Sequence, residues 1–259
     1  MKKKIMVLTV AIMFFTGCGA KTDKETVVSS SEKQQEVSEQ QEASPALTEA
    51  RAFLEDLERD KVTPDEKNYE DVKKKYPEWF DEAGGIVYPV LPGSAEWKKA
   101  TTSRGVNEAC LIPEEIVNAV DTKTLLKAVE DYPLLYAYTN YDYYECGLQY
   151  LAETFYGMNV LLRREDACRA AAESYLSRKL KASDEESDDL QMREALLLEE
   201  FLFSREDAYF KFNEEERKEI VKAVEKNYDT ELHLADVTLG YHFYDMVAYG
   251  DNPWQSEIA

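Results

Sequence analysis

Ser44-Pro45-Ala46-Leu47-Thr48-Glu49-Ala50-Arg51-Ala52-Phe53-Leu54-Glu55-Asp56-Leu57 is the stretch on which the fold turns. Serine directly before proline is a helix-start signal. The hydroxyl can accept from an amide of the first turn, and proline at the first helical position has no amide to satisfy. Leu47, Ala50, Phe53, Leu54 and Leu57 then recur at helical spacing, so one face is apolar and the other solvated. The same grammar repeats downstream. Thr63-Pro64-Asp65-Glu66 reads as a capping box, and so do Ser183 with Glu186 and Asn213 with Glu216. Residues 165–180 and 186–203 read as the two longest helices, and 214–227 places Ile220, Val221 and Val224 on one face. Short helices are expected at about 95–101, 104–109, 113–120 and 122–130, punctuated by Pro113 and Pro133.

Strand signals are poor. Gly85-Ile86-Val87-Tyr88-Pro89-Val90-Leu91-Pro92-Gly93 could be extended, but its two prolines argue against a central strand. It reads as a connector over the surface of a helical domain. The fold class is therefore all-α, an irregular multi-helix array over residues 45–259.

Working towards the N-terminus from Ser44, the composition changes. Residues 19–44 hold five Ser, five Glu and four Gln and no aromatic residue. Such a segment cannot bury enough apolar area to fold and reads, as 18–44, as a flexible tether. A flexible chain of this length spans roughly 25–30 Å root-mean-square. Before it, Lys2, Lys3 and Lys4 precede the apolar stretch Ile5 to Thr16, too short to span a bilayer and of the right length for a secretory signal core. It ends in Phe15-Thr16-Gly17-Cys18. This resembles the lipobox of bacterial lipoproteins, with Phe15 in place of Leu and Thr16 in place of Ala or Ser. The resemblance implies a signal peptide over 1–17, acylation of Cys18, and a protein anchored by lipid to the extracytoplasmic face of the cell membrane. A diacylglyceryl group supplies two chains, the regime of stable anchoring.

Charge narrows the partners. The formal net charge is −21, which repels phosphate backbones and anionic lipid headgroups, so nucleic acid is excluded as a ligand class. Cationic peptides, cations and neutral glycans remain. Hydrophobic residues make up 44% of the chain, enough for a real core. After Cys18 there remain Cys110, Cys146 and Cys168. An odd number cannot form a closed disulfide set; one bridge is open to an exported protein, and the reading preferred is buried thiols, with Cys168 on an apolar face shared with Ala171, Ala172, Tyr175 and Leu176. No Cys/His cluster suggests zinc, and no metal or cofactor is expected.

Two constellations could carry function. Eight tyrosines lie between Tyr132 and Tyr156, interleaved with Asp131, Asp142, Glu145 and Glu153. Tyrosine offers a flat apolar face with a polar tip, suited to stacking on sugars or gripping peptides. Asn140 and Asp142 favour a turn between helices, so Tyr141, Tyr143 and Tyr144 are the candidate ligand-binding rings. The alternative is that these rings are core. Second, Glu199 and Glu200 interrupt the apolar run from Ala195 to Phe203. Glu200 continues a stripe with Asp189, Arg193 and Ser204 and reads as solvated. Glu199 has Met192, Ala195, Leu196, Leu202 and Phe203 as helical neighbours. It is the candidate catalytic acid unless an arginine from another helix pairs with it. His233 and His242 are nine residues apart and fall on opposite faces of a continuous helix; the reading is two ordinary histidines.

A further likeness covers about a third of the chain. Tyr88-Pro89-Val90 with Pro92-Gly93 and Glu96-Trp97 is followed by Ala109-Cys110 and Ile112-Pro113. Leu125-Leu126 and Val129 then lead to Tyr132-Pro133-Leu134, and the series ends at Leu162-Arg163-Arg164-Glu165-Asp166-Ala167. In this order they resemble a family of uncharacterised exported bacterial lipoproteins. The resemblance implies an exported helical domain and carries no activity or catalytic residue. The expectation is a tethered binding or interaction module for glycan or peptide. The alternatives are a cell-envelope hydrolase working through Glu199, or an accessory subunit of an envelope complex.

Overall fold

The start signal at Ser44 is built as the sequence indicates. Ser44 Oγ accepts from the Leu47 amide at 3.2 Å, Pro45 opens α1 (Pro45–Arg59), and Leu47, Ala50 and Leu54 are buried. The computed structural model describes residues 44–100, 102–178, 186–228, 243, 247 and 252–258. Cys18 with the signal segment and the tether up to residue 43, Ser183, His233 and His242 lie outside the described residues.

After α1 come α2 (Tyr69–Lys75), α3 (Ala95–Lys99), α4 (Ser103–Ala109), α5 (Glu114–Ala119) and α6 (Thr122–Glu130). They are followed by α7 (Tyr144–Thr154), α8 (Tyr156–Arg163), α9 (Ala167–Ser177), α10 (Glu186–Ser204), α11 (Glu206–Tyr209) and α12 (Glu214–Tyr228). Short 3₁₀ turns at Glu66–Asn68, Pro77–Trp79, Leu135–Asn140 and Pro253–Ser256 link or flank them. Among the described residues there is no strand, only the isolated bridges Val62 to Arg164 and Phe80 to Ile86. The protein is all-α.

The packing centres on α10, which lies along α9 and also touches α6 and the Leu135–Asn140 turn. Leu196, Leu198, Phe201 and Phe203 of α10 are buried. Opposite them α9 contributes Cys168, Ala171, Ala172 and Tyr175, small residues that let the two helices approach. Helix α1 packs on α7 and α8, and α12 on α9. Near the C-terminus Trp254 is fully buried among the rings of Tyr209, Phe212 and Phe243.

Several local readings are corrected. Thr63 makes no cap: the chain turns at Asp65 into the 3₁₀ segment, and no side chain caps it. Asn213 and Glu216 do form the reciprocal box, Asn213 Oδ1 accepting from the Glu216 amide at 3.0 Å and Glu216 Oε2 from the Asn213 amide at 2.8 Å. Helix α9 has 11 residues and is shorter than α1 and α12 at 15 each. Leu176 lies outside the apolar face it was assigned to and is exposed. The 85–93 connector enters the core, where Ile86 and Tyr88 are buried and Tyr88 Oη donates to the Ala128 carbonyl at 2.7 Å. Cys110, Cys146 and Cys168 are free thiols; Cys110 and Cys168 are buried as expected, whereas Cys146 is only half-buried.

Candidate functional site

Pro133 follows α6, and the chain crosses to α7 through the Leu135–Asn140 turn and an extended piece. Asn140 Nδ2 reaches back to the carbonyls of Tyr136 (3.4 Å) and Ala137 (3.5 Å) and tightens the turn. Tyr138 nails it down from below. Its ring is fully buried and its hydroxyl donates to the Glu194 carbonyl of α10 at 2.8 Å. Gly147 in α7 is required for this seat: a Cβ there would stand 1.9 Å from the Tyr138 carbonyl oxygen. Helix and turn touch backbone to backbone, a contact open only to glycine.

On this rigid base the tyrosines divide. Tyr132 stacks on Phe155 with centroids 4.0 Å apart, and Tyr132 and Tyr138 are core. Tyr136, Tyr141 and Tyr143 stay outside, at 47%, 41% and 40% exposure. Tyr141 leans on the half-buried Tyr150, centroids 5.7 Å apart and planes 35° apart. Tyr144 departs from its expected place in the exposed set. Its ring turns inward onto Tyr138 (4.7 Å) and Phe201 (5.7 Å), and burial drives its hydroxyl pKa well above the usual value. The start of the helix marks the split. Tyr141 (φ −101°, ψ 148°) and Tyr143 (φ −124°, ψ 132°) belong to the bend that precedes α7, whereas Tyr144 is its first residue.

The second constellation is a buried acid junction. Glu199 on α10 is 0% exposed. Arg178, at the C-terminal cap of α9, donates to it through Nε (3.0 Å) and Nη2 (2.8 Å). The same Nη2 lies 2.7 Å from Glu130 Oε2, at the end of α6. One guanidinium thus serves two carboxylates from two other helices. Burial pushes the Glu199 pKa up to about 8. The hydrogen bond from Arg178 pulls the other way, and the negative field of Glu130 adds to the rise. With a proton on Glu199 the three groups sum to zero charge, the condition under which such a set is tolerated in a core. Burial lowers the Arg178 pKa, but its bonds and charge contacts with Glu199 and Glu130 outweigh this and hold it above the usual guanidinium range.

Glu200 is a correction. It is as buried as Glu199, and Tyr175 Oη donates to its Oε1 at 2.8 Å. The stripe it shares with Arg193 and Ser204 faces other elements rather than water: Ser204 is fully buried and the Arg193 side chain is 15% exposed.

Chemically the junction can hold and share a proton, and it ties α6, α9 and α10 together. Of its acids Glu130 lines a surface hollow of about 270 Å³ between α6 and α9, with Lys123, Lys127, Ser174 and Ser177 around it. Glu199 lies behind Arg178, which holds both carboxylates. A larger hollow of about 440 Å³ between α2 and α5 is lined by Asp65, Asn68, Asp71, Glu115 and Asn118, with Lys75 bound across it to Glu115 at 2.7 Å. Among the described residues no group of three or more His, Cys, Asp or Glu side chains is arranged to hold a metal, and no helix is long and apolar enough to cross a membrane.

Sequence reasoning missed two residues. Tyr136 is the most exposed ring of the run, and its place in a turn following Pro133 was the available signal. Glu130 ends α6, where the helix dipole disfavours an acid; an acid there signals a cation from elsewhere in the fold. No family model, curated protein or solved structure matches this chain.

Proposed function

We propose that the protein is a bacterial envelope lipoprotein, tethered through acylated Cys18, that works as a binding module for glycan or peptide on the turn bearing Tyr136, Tyr141 and Tyr143. The observation that carries this reading is the division of the tyrosines. Three rings stay exposed while Tyr138, Tyr144 and Gly147 fix the backbone beneath them. Rigid aromatic rings bind with little entropy to lose, which is the logic of recognition surfaces. The lipobox-like sequence supports the tether, and the acidic tract 19–44 supports a domain held away from the bilayer. The hydrolase reading draws on Glu130, a second carboxylate beside Glu199, but the Arg178 clamp across both acids favours a structural role for the pair.

Two experiments test the halves separately. Cys18→Ser should abolish incorporation of a labelled fatty acid; continued labelling would remove the anchor. Tyr136→Ser, Tyr141→Ser and Tyr143→Ser combined should cost binding to hits from glycan and peptide arrays while the circular dichroism spectrum is kept. Unchanged binding by a folded triple variant would dismiss the tyrosine turn as the site.

A further inference from the structure

Residues 128–162 contain eight tyrosines and five acids, Glu130, Asp131, Asp142, Glu145 and Glu153, and neither lysine nor arginine. In a chain with 31 basic residues among 259, this is one of two long stretches in which aromatic rings and negative charge coincide without a lysine or arginine, the other being 227–259. Elsewhere the molecule places its cations on its rings. Lys75 lies 4.9 Å over Tyr76, Arg217 4.2 Å over Tyr209 and Arg169 5.3 Å over Phe212. Among the described residues no such cation covers Tyr141, Tyr143 or Tyr150. Arg51 does approach the turn, but it is bound to the buried Glu145 at 2.9 Å. Asp142 and Glu153 are left as exposed carboxylates beside the rings.

The electrostatic surroundings agree. The Tyr141 hydroxyl is pushed up by partial burial and then by Tyr150, Cys146 and Glu153. The Cys146 thiol, on the first turn of α7, is pushed up by burial and then by Glu145, Asp142 and Glu49. Neither group senses a compensating positive charge.

Resting on the reading of this turn as a binding surface, we infer that its ligand is a basic peptide, whose lysine or arginine side chain lies on the faces of Tyr141 and Tyr150 with Asp142 and Glu153 at the rim. The centroid spacing of 5.7 Å and the 35° tilt make a shallow two-walled corner. A cation over an aromatic face is held within about 6 Å of the centroid, and a nearby carboxylate adds attraction. A neutral sugar could stack on the rings and donate hydroxyls to the acids, but it carries no positive charge to answer theirs. A polyanion is repelled. The net charge of −21 draws basic peptides towards the molecule as a whole, and the open rings decide where they settle.

The experiment titrates the full chain, in detergent, against a fluorescein-labelled Gly-Lys-Gly-Arg-Gly-Lys peptide by anisotropy, with neutral chito- and cello-oligosaccharides titrated in parallel by calorimetry. Tyr141→Ser, which removes one of the two faces, should weaken peptide binding about threefold, as expected for one exposed contact of this kind. Asp142→Asn with Glu153→Gln should weaken it about fivefold. Glu70→Gln with Glu225→Gln removes the same charge from exposed positions away from the turn and should change nothing. Equal weakening by both acid pairs would reduce the effect to diffuse attraction and overturn the inference. Oligosaccharide binding that needs Tyr141, with no binding of the basic peptide, would overturn it while keeping the turn as a binding site. Binding of neither ligand would remove both.

Discussion

The tyrosine turn and the acid junction both load polar groups onto chain segments that border the core, and they dispose of them in opposite ways. In the turn the rings are divided: Tyr138 and Tyr144 point inward, Tyr136, Tyr141 and Tyr143 outward. A short turn between two helices has a side free of packing, and the chain uses it. In the junction no side of α10 is spare. Leu196, Leu198, Phe201, Glu199 and Glu200 are all buried, so the acids cannot be turned away: Glu199 is held by Arg178 and a proton, and Glu200 accepts from the Tyr175 hydroxyl. The outward rings keep 40–47% of their surface exposed, whereas the inward acids are committed to holding helices together.

The comparison breaks most easily at Arg178. Replacing it with methionine leaves Glu130 and Glu199 facing each other without their cation. Losing one partner of a buried ionic set costs about 3–5 kcal/mol, and urea unfolding at neutral pH should show a loss of that order. Replacing Glu130 and Glu199 by leucine in the same chain should restore much of the stability, because a buried ionic set is often matched by apolar side chains. A loss below about 1 kcal/mol in Arg178→Met would mean that the junction is not sealed.

Proton linkage is the next test. Glu199 has its pKa raised from 4.5 to about 8. Across that window the folded chain holds a proton that the unfolded chain releases, so stability falls as pH rises from about 4.5 to 8 and then levels. Glu194, raised in the same direction by burial, adds to the slope. Over the whole window the Glu199 share amounts to about 5 kcal/mol. Glu199→Gln keeps a neutral group of the same shape, one that can accept from Arg178 and donate to Glu130. Unfolding midpoints at pH 5, 6.5 and 8 should fall for the parent chain and run flatter for the variant. Parallel slopes would place the proton elsewhere.

Both regions were unequally legible in the sequence, for physical reasons. The helices follow from local rules, and Ser44-Pro45 with its apolar stripe reads true because capping and periodicity act within a few residues. The short helices at 95–99, 103–109, 114–119 and 122–130 are equally local. Glu200 was misread because a helical wheel reports which residues share a face and not whether another element covers it. Its stripe partner Ser204 is fully buried, and Tyr175 of α9 bonds Glu200 from 25 positions away. Glu130 could not be matched to Glu199 across 69 positions without the fold. Thr63 failed as a cap because Asp65, whose amide donates to the Asn118 carbonyl at 2.7 Å, is held by tertiary contacts instead. The turn at 135–143 was signalled by Asn140 and Asp142, but which tyrosines it buries depends on where α7 begins.

That boundary supplies the finest test of the comparison. Tyr143 and Tyr144 are sequence neighbours of the same chemistry, one 40% exposed and the other packed on Tyr138 and Phe201. If exposure alone separates them, Tyr144→Ser should cost about 2 kcal/mol, since removing an aromatic ring from a packed site leaves a cavity. Tyr141→Ser and Tyr143→Ser should each stay within about 0.5 kcal/mol. Thermal melts of the three single variants decide it. Similar losses in all three would mean that Tyr141 and Tyr143 support the fold and are not held out for a ligand. The expected ordering would show that one residue of register at the start of α7 divides a ring that stabilises from a ring that is free to bind.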